Sequence, residues 1–305
     1  MRCLRMLSKE ELTIIIATKD RPNELIRLLE SIDQGAFKPG ETLIIDGGET
    51  PLKGLSKRDR FKDLNIRYVE KRPASLPMQR NIGVKALGDT ATLIAFFDDD
   101  IVIEKDSLLN MMKFWESASP DTGGASFNNV SDRLRRPSIL EKLFLVNTER
   151  PGMVMRSGFQ SKQCQVAETI PVGWLSGCAM VYRRQVFEKF RFDEKFTGYA
   201  HCEDLDFSYR VGKGFKLFVV ADARVRHLSN SESVTGASVT LGRMQVLNRL
   251  YFVKKNAELS SSLCLWACFG LFLNNLVKGI FLRDRNYLLR ARGNISGFIL
   301  SIFPH

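Results

Sequence analysis

The chain has 305 residues, more than the usual domain of about 100–150. That leaves one large α/β unit or a domain with an appendage, and it excludes a small stapled module. Hydrophobic residues at 44% and charged residues at 26% exclude both a disordered chain and one wholly embedded in membrane. The net charge is +11, and nine Lys and Arg between Arg243 and Arg292 face only Glu258 and Asp284, a concentration that suits nucleic acid or an anionic membrane surface.

The start, MRCLRMLSKEEL, carries positive charge but no apolar stretch before Lys9, Glu10 and Glu11, so no secretory signal peptide is expected there. Six cysteines, at 3, 164, 178, 202, 264 and 268, include no CxxC pair and predict reduced thiols in a cytoplasmic chain. Leu12 to Ala17 is a continuous β-branched run, the mark of a strand buried on both faces of a parallel sheet. Asp20-Arg21-Pro22 opens a helix carrying Leu25, Leu28, Leu29 and Ile32 at helical spacing. Strands follow at Thr42–Ile45, ending in Asp46-Gly47-Gly48, and at Ile66–Val69. A helix over about Leu76–Leu87 carries Arg80 and Asn81, and a strand at Thr92–Phe97 runs into Asp98-Asp99-Asp100, with a further helix near Asp106. Such βαβ alternation predicts an open, mostly parallel sheet with its ligand site beyond the carboxyl ends of the strands.

Residues 128–170, with Arg133, Arg135 and Arg136, read as a long connection containing some helix. Order returns at Val172–Gly177, a Gly-rich stretch before Met180-Val181-Tyr182, and at a helix near Gln185–Lys189. Glu203-Asp204-Leu205-Asp206 then opens another helix, followed by strands at Phe215–Val220 and Ala223–His227. Beyond about Gly236 the chain turns helical. Leu263–Leu273 is an uncharged run of eleven residues, short of the ~20 a bilayer requires. Extending it to Leu282 reaches twenty only by burying Asn274, Asn275 and Lys278.

Three adjacent carboxylates at the end of a buried strand oppose one another's ionisation, so a cation should offset them. In extended backbone Asp98 and Asp100 point to one side while Asp99 faces away, which lets the outer pair share Mg²⁺ or Mn²⁺ and bridge a diphosphate. An acidic turn capping the helix near Asp106 is the plainer reading. Asp46 can accept from a nucleobase or ribose hydroxyl, or simply shape the turn at Gly47-Gly48. Arg80 can pair with phosphate, hold an aspartate, or form a surface salt bridge. Helix capping accounts for one of Glu203 and Asp204, but not evidently for both.

Taken in order, the strand and turn Ile14 to Pro22, Asp46, Arg80-Asn81-Ile82-Gly83, Asp98-Asp99-Asp100, Trp174 to Met180, and His201 to Phe207 resemble a bacterial family 2 glycosyltransferase of the GT-A fold, over residues 11 to 230. That resemblance implies a Rossmann-like α/β catalytic domain over 1–235, with a nucleotide-sugar half at about 11–128 and an acceptor half at 129–235, followed by a helical extension over 236–305. It implies a nucleotide-sugar donor contacted by Thr18, Arg21, Asp46, Arg80, Asp98 and Asp99. A metal would sit on Asp98 and Asp100, with His227 as a further ligand, and Asp204, or Glu203 as second choice, would be the base. Trp174 and Gly177 would line the acceptor side, although Trp174 suits the core equally well. The reaction implied is an inverting single displacement onto a glycan or lipid-linked acceptor, the donor carrying UDP, GDP or dTDP. One departure is that a single Asp46 stands where the family commonly has paired acids before Gly-Ser, so base recognition would lean on Asp46 and Thr18.

A nucleotidyltransferase acting on sugar phosphates would share the architecture and the metal but should carry a glycine-rich basic loop after the first strand, and Ala17–Pro22 has no glycine. GxGxxG and GxxxxGK[ST] are absent. A nucleic-acid binder is disfavoured because the basic tail interleaves its charges with Leu, Trp and Phe. That tail reads either as an interfacial helix on anionic lipid, at the inner face of the cytoplasmic membrane, or as a helix packed on the catalytic domain or on a second subunit in a homodimer.

Overall fold

The computed structural model describes residues 7–52, 54, 59–131, 135–197, 200–228 and 238–302. Cys3, Arg133 and the boundary expected at 235/236 lie outside the described residues. The chain divides into two compact units, Met1–Leu134 with Gln163–Leu228, and Arg135–Lys162 with Ser229–His305. Part of the connection expected within the acceptor half therefore groups with the C-terminal helices.

The first unit is built on β1 (Leu12–Thr18), α1 (Pro22–Asp33), β2 (Glu41–Asp46), β3 (Ile66–Glu70), α2 (Leu76–Lys85) and β4 (Leu93–Asp98). Then come β5 (Ile101–Ile103), α3 (Ser107–Ser117) and β6 (Thr122–Asn129). In the second unit, α4 (Ile139–Leu143) follows. The first unit resumes with β7 (Ile170–Val172), β8 (Ala179–Arg183), α5 (Val186–Lys189), α6 (Glu203–Gly212) and β9 (Lys216–His227). Sheet order is β3-β2-β1-β4-β8-β6-β9-β5, with β7 also on β9. The sheet is parallel from β3 to β4, and β8 then enters antiparallel between β4 and β6.

Strand alternation sorts the core into two layers. Ile14 and Ile16 point to one face with Leu25, Leu28 and Leu29 of α1, while Ile15 points to the other with Val84 of α2 and Phe96. Each such side chain, fully buried, contributes about 1.5–3 kcal/mol. Gly83 has a steric reason to be glycine, since a Cβ there would lie 2.5 Å from Ile15 Cγ2. Its neighbour Asn81 exchanges hydrogen bonds with the backbone of Phe192 and donates to Glu194, tying α2 to the segment that leads into α6.

The two expected strands near the end of this unit are one twelve-residue strand. β9 runs parallel to β6 up to Val220, shifts register, resumes that pairing at Arg224 and Val225, and there also pairs antiparallel with β5. Ile101, the residue after the acidic triplet, is thereby paired with His227, and Leu228 N–H donates to Asp100 O at 2.7 Å.

The second unit carries α7 (Ser238–Lys255), α8 (Ser261–Phe281) and α9 (Arg285–Ile302). Helix α8 runs straight through Asn274, Asn275 and Lys278, because Asn275 turns inward to donate to Asn294 Oδ1 at 2.9 Å and Lys278 lies over the Tyr287 ring. Among the described residues it is the one helix long and apolar enough to cross a membrane.

Candidate active site

Strand β4 delivers three carboxylates to the carboxyl edge of the sheet, and each meets a different environment. Asp99 is buried. It accepts from Thr18 Oγ1 at 2.7 Å and from Arg21 Nη1 at 3.1 Å. Burial pushes its carboxyl up to about 6, against the pull of Thr18 and Arg21. Asp100 accepts from the same Arg21 nitrogen at 3.1 Å, and its Oδ1 lies 3.3 Å from His227 Nε2. Burial would raise Asp100, but the bond to His227, the imidazole's charge and Arg21 outweigh it and hold the carboxyl below its ordinary value. Asp98 is raised by burial, opposed chiefly by Arg80.

Arg80 joins this edge to a second acidic pair. Its guanidinium is 2% exposed, donates to Asp98 Oδ1 and to Gly177 O, each at 2.9 Å, and forms an ion pair with Glu203. Glu203 Oε2 is buried with no hydrogen-bond partner, and burial pushes this carboxyl up to about 8 despite Arg80. Asp204 is half-buried and accepts from Gly177 N–H and from Leu205 N–H, each at 2.8 Å. A Cβ on Gly177 would stand 3.0 Å from Asp204 Cβ and 3.2 Å from both Arg80 Nη atoms, which explains a glycine at this junction.

Five carboxyl groups, of Asp98, Asp99, Asp100, Glu203 and Asp204, thus face two guanidinium groups and one imidazole. Asp98, Asp100 and His227 each offer a ligand atom, all within 4.8 Å of one another. Two carboxylates with an imidazole on an under-compensated acidic edge are a donor set that would suit Mn²⁺ or Mg²⁺. The three residues border a cavity of about 540 Å³ together with Thr18, Arg21 and Gln79. Its size suits a nucleotide-scale ligand.

Other expected site residues stand apart from that cavity. Asp46 is fully buried. Its oxygens accept from Gly48 N–H at 2.8 Å, from Leu52 N–H at 3.3 Å and from the Tyr68 hydroxyl, so it shapes the loop after β2. Burial and the Asp46 bond push Tyr68 up to about 12. Trp174 is buried. Neither Trp174 nor Gly177 lines the cavity, and Arg80 reaches it only through Asp98. Two residues that sequence reasoning passed over do line it. Exposed Lys19 follows Thr18 at the strand end, where a cation invites phosphate, a signal present in the sequence. Gln79, buried in α2, donates to Thr18 O and Ile45 O, and nothing in its sequence surroundings marks it.

Comparison with known proteins places this edge in context. An uncharacterized glycosyltransferase of Rickettsia felis is 30% identical over 134 residues, 42% of this chain and 21% of that protein. The chain therefore spans about a fifth of that relative's length. The N-acetylglucosaminyl-diphospho-decaprenol L-rhamnosyltransferase of Mycobacterium tuberculosis is 23% identical over 246 residues, 71% of this chain and 75% of that enzyme. Among solved structures, the mannosyltransferase PcManGT from Pyrobaculum calidifontis, in complex with GDP-Man and Mn²⁺, superposes with a TM-score of 0.57 at 14% identity, over 96% of this chain and 87% of that one. That likeness shows a GT-A type fold. The profile described as Glycosyl transferase family 2 matches residues 13–191, more than half of the sequence, and the chain belongs to that family.

Proposed function

We propose that the chain transfers a sugar from a UDP-, GDP- or dTDP-linked donor to a hydroxyl of a glycan or lipid-linked acceptor, with inversion, at the inner face of the cytoplasmic membrane. The observation that carries this reading is a ligand set of Asp98, Asp100 and His227 bordering a nucleotide-sized cavity, tied through Arg80 to a second acidic pair at the start of α6. PcManGT, holding GDP-Man and Mn²⁺ on a similar fold, supports a nucleotide-sugar donor and a divalent ion.

Asp98, Asp100 and His227 would hold Mg²⁺ or Mn²⁺, which when bound neutralises charge developing on the leaving diphosphate. Arg21 and Lys19 stand at the same edge to draw the diphosphate in. Asp204 takes the proton of the attacking hydroxyl as the new bond forms at the anomeric carbon and the bond to the diphosphate oxygen breaks. It suits that role better than Glu203, whose carboxyl is buried and engaged by Arg80. Asp99 holds Thr18 and Arg21 in place.

A panel of UDP-, GDP- and dTDP-sugars with Mn²⁺ or Mg²⁺, scored by released nucleoside diphosphate, tests the proposal. Release from one donor class, abolished by EDTA, is expected. No release from any donor, with or without lipid-linked or glycan acceptors, would refute it.

A further inference from the structure

Two helices of the second unit, α8 and α9, turn small and polar residues inward and large apolar ones outward. Helix α8 turns Cys264, Ala267, Cys268, Gly270, Asn275 and Gly279 inward and exposes Leu265, Trp266, Phe269, Val277, Ile280 and Phe281. The outward set falls at spacings of three, four and eight between Leu265 and Phe281, which puts it on one side of the helix. A water-facing helix shows the reverse pattern. Helix α9 repeats the arrangement, with Ala291, Gly293, Asn294 and Gly297 inward and Leu288, Ile295, Ile299 and Ile302 outward.

The inner contacts are those of helices that associate through close backbone approach and polar pairing. A Cβ on Gly293 would lie 2.1 Å from Val239 O, and one on Gly242 would lie 2.2 Å from Arg290 O. Gly293 and Gly297 form a small-xxx-small pair against α7, and Asn294, which accepts from Asn275, donates to Gly242 O at 2.8 Å. The internal segment of the same unit adds to the outward surface. Ile139 is 85% exposed, and Leu140 and Leu143 lie on the same side of α4. Helix α4 is fastened to α8 by Trp266 Nε1, which donates to Leu143 O at 3.0 Å, and by the Phe144 ring 4.7 Å from Trp266.

We infer that the outward face of α4, α8 and α9 is a lipid-contact surface, seated in the headgroup and acyl boundary of an anionic phospholipid leaflet. Charge selects lipid over another apolar partner. Exposed Arg283, Arg285 and Arg292 border the α8 and α9 stripes, whereas the cations beside α4, Arg135 and Lys142, are paired with Glu141 and Glu149. Arg292 lies within the outward side of α9, so that helix rests along the headgroups and does not cross the bilayer. This inference rests on the membrane setting proposed above and adds that binding is by insertion of apolar side chains, with an internal segment of the chain taking part.

Tryptophan emission provides the test, because Trp266 is 43% exposed while Trp115 and Trp174 are 3% and 8% exposed. The full chain is mixed with phosphatidylcholine–phosphatidylglycerol vesicles whose acyl chains carry bromine. Quenching is expected, it should persist in high salt, and Trp266→Phe should remove it. Ile280→Asp with Phe281→Asp, at two exposed positions, should lower vesicle partitioning by about tenfold or more, with unchanged circular dichroism and thermal midpoint. Absence of quenching, release of all bound protein by salt, or a soluble oligomer that protects Trp266 in preference to lipid would each overturn the inference. None of these readouts depends on which sugar is transferred, so failure here is separable from failure of the proposed activity.

Discussion

Replacing Arg80 by methionine keeps much of the side-chain volume and removes the buried cation between Asp98 and Glu203. Removing one partner of a buried ion pair costs about 3–5 kcal/mol, because the remaining charge is left without compensation. Gly177 O also loses its donor. For a unit of this size such a loss lowers the thermal midpoint by about 10 °C. Acid should soften the penalty. Burial raises both carboxyls, Glu203 to about 8, and loss of the guanidinium raises them further, so acid lessens the charge left without a partner by protonating them. Urea denaturation followed by tryptophan emission at pH 9.5 and pH 5 measures the difference. A deficit of several kcal/mol at the higher pH that shrinks at the lower is expected, and Arg80→Lys, which keeps charge but loses the fork, should fall between. A deficit below about 1 kcal/mol at both values would refute the view that Arg80 is the electrostatic link between the two acidic pairs.

Asp100→Asn should weaken Mn²⁺ binding by at least about tenfold in titration calorimetry, with folding retained, since it removes one charge from the ligand set; unchanged affinity would move the ion elsewhere. Asp204→Asn should abolish transfer at saturating acceptor while donor affinity stays within about twofold, because its interaction develops in the transition state. Loss of donor binding with turnover retained would exclude it as the base. Glu203 takes up a proton on folding, its folded value of about 8 lying above the ordinary 4.5, so its contribution to stability is full below 4.5 and is lost as pH rises through 8. Glu203→Gln should accordingly flatten the fall in unfolding free energy across that window, and an unaltered slope would contradict the assignment.

The strands legible in the sequence are those whose chemistry is local. β1, β2 and β4 are continuous apolar runs, and their burial on both faces is what such runs encode. β6 reads Thr-Gly-Gly-Ala-Ser-Phe-Asn-Asn, a composition with no strand preference, because its glycines make room for the Phe215 and Tyr182 rings, which lie far away in sequence. The grouping of residues 135–162 with the last helices depends on contacts such as Phe144 with Trp266, which no local pattern announces. At the site, Asp98, Asp100 and Glu203 stood out as residue types. That one guanidinium serves both Asp98 and Glu203, and that Asp46 is occupied by its own loop, follow from side-chain directions set only when the sheet is assembled.

The register change in β9 divides that strand into a part that tolerates altered length and a part that does not. Phe127 pairs with Val220 and Asn128 with Arg224, so Ala221, Asp222 and Ala223 have no ladder partners on β6, and the first two are held instead by the side chains of Asn128, Thr169 and Asn110. A residue gained or lost there can be absorbed before the ladder resumes. Between Arg224 and His227 it cannot, because Ile101 is matched to His227 and Ile103 to Val225, and a loss would put Leu228, a gain Arg226, where the imidazole stands and reverse every face. Length variants on the two sides of Arg224 should therefore behave oppositely, the early ones keeping cation affinity and the late ones losing it together with the closing pairs of the sheet.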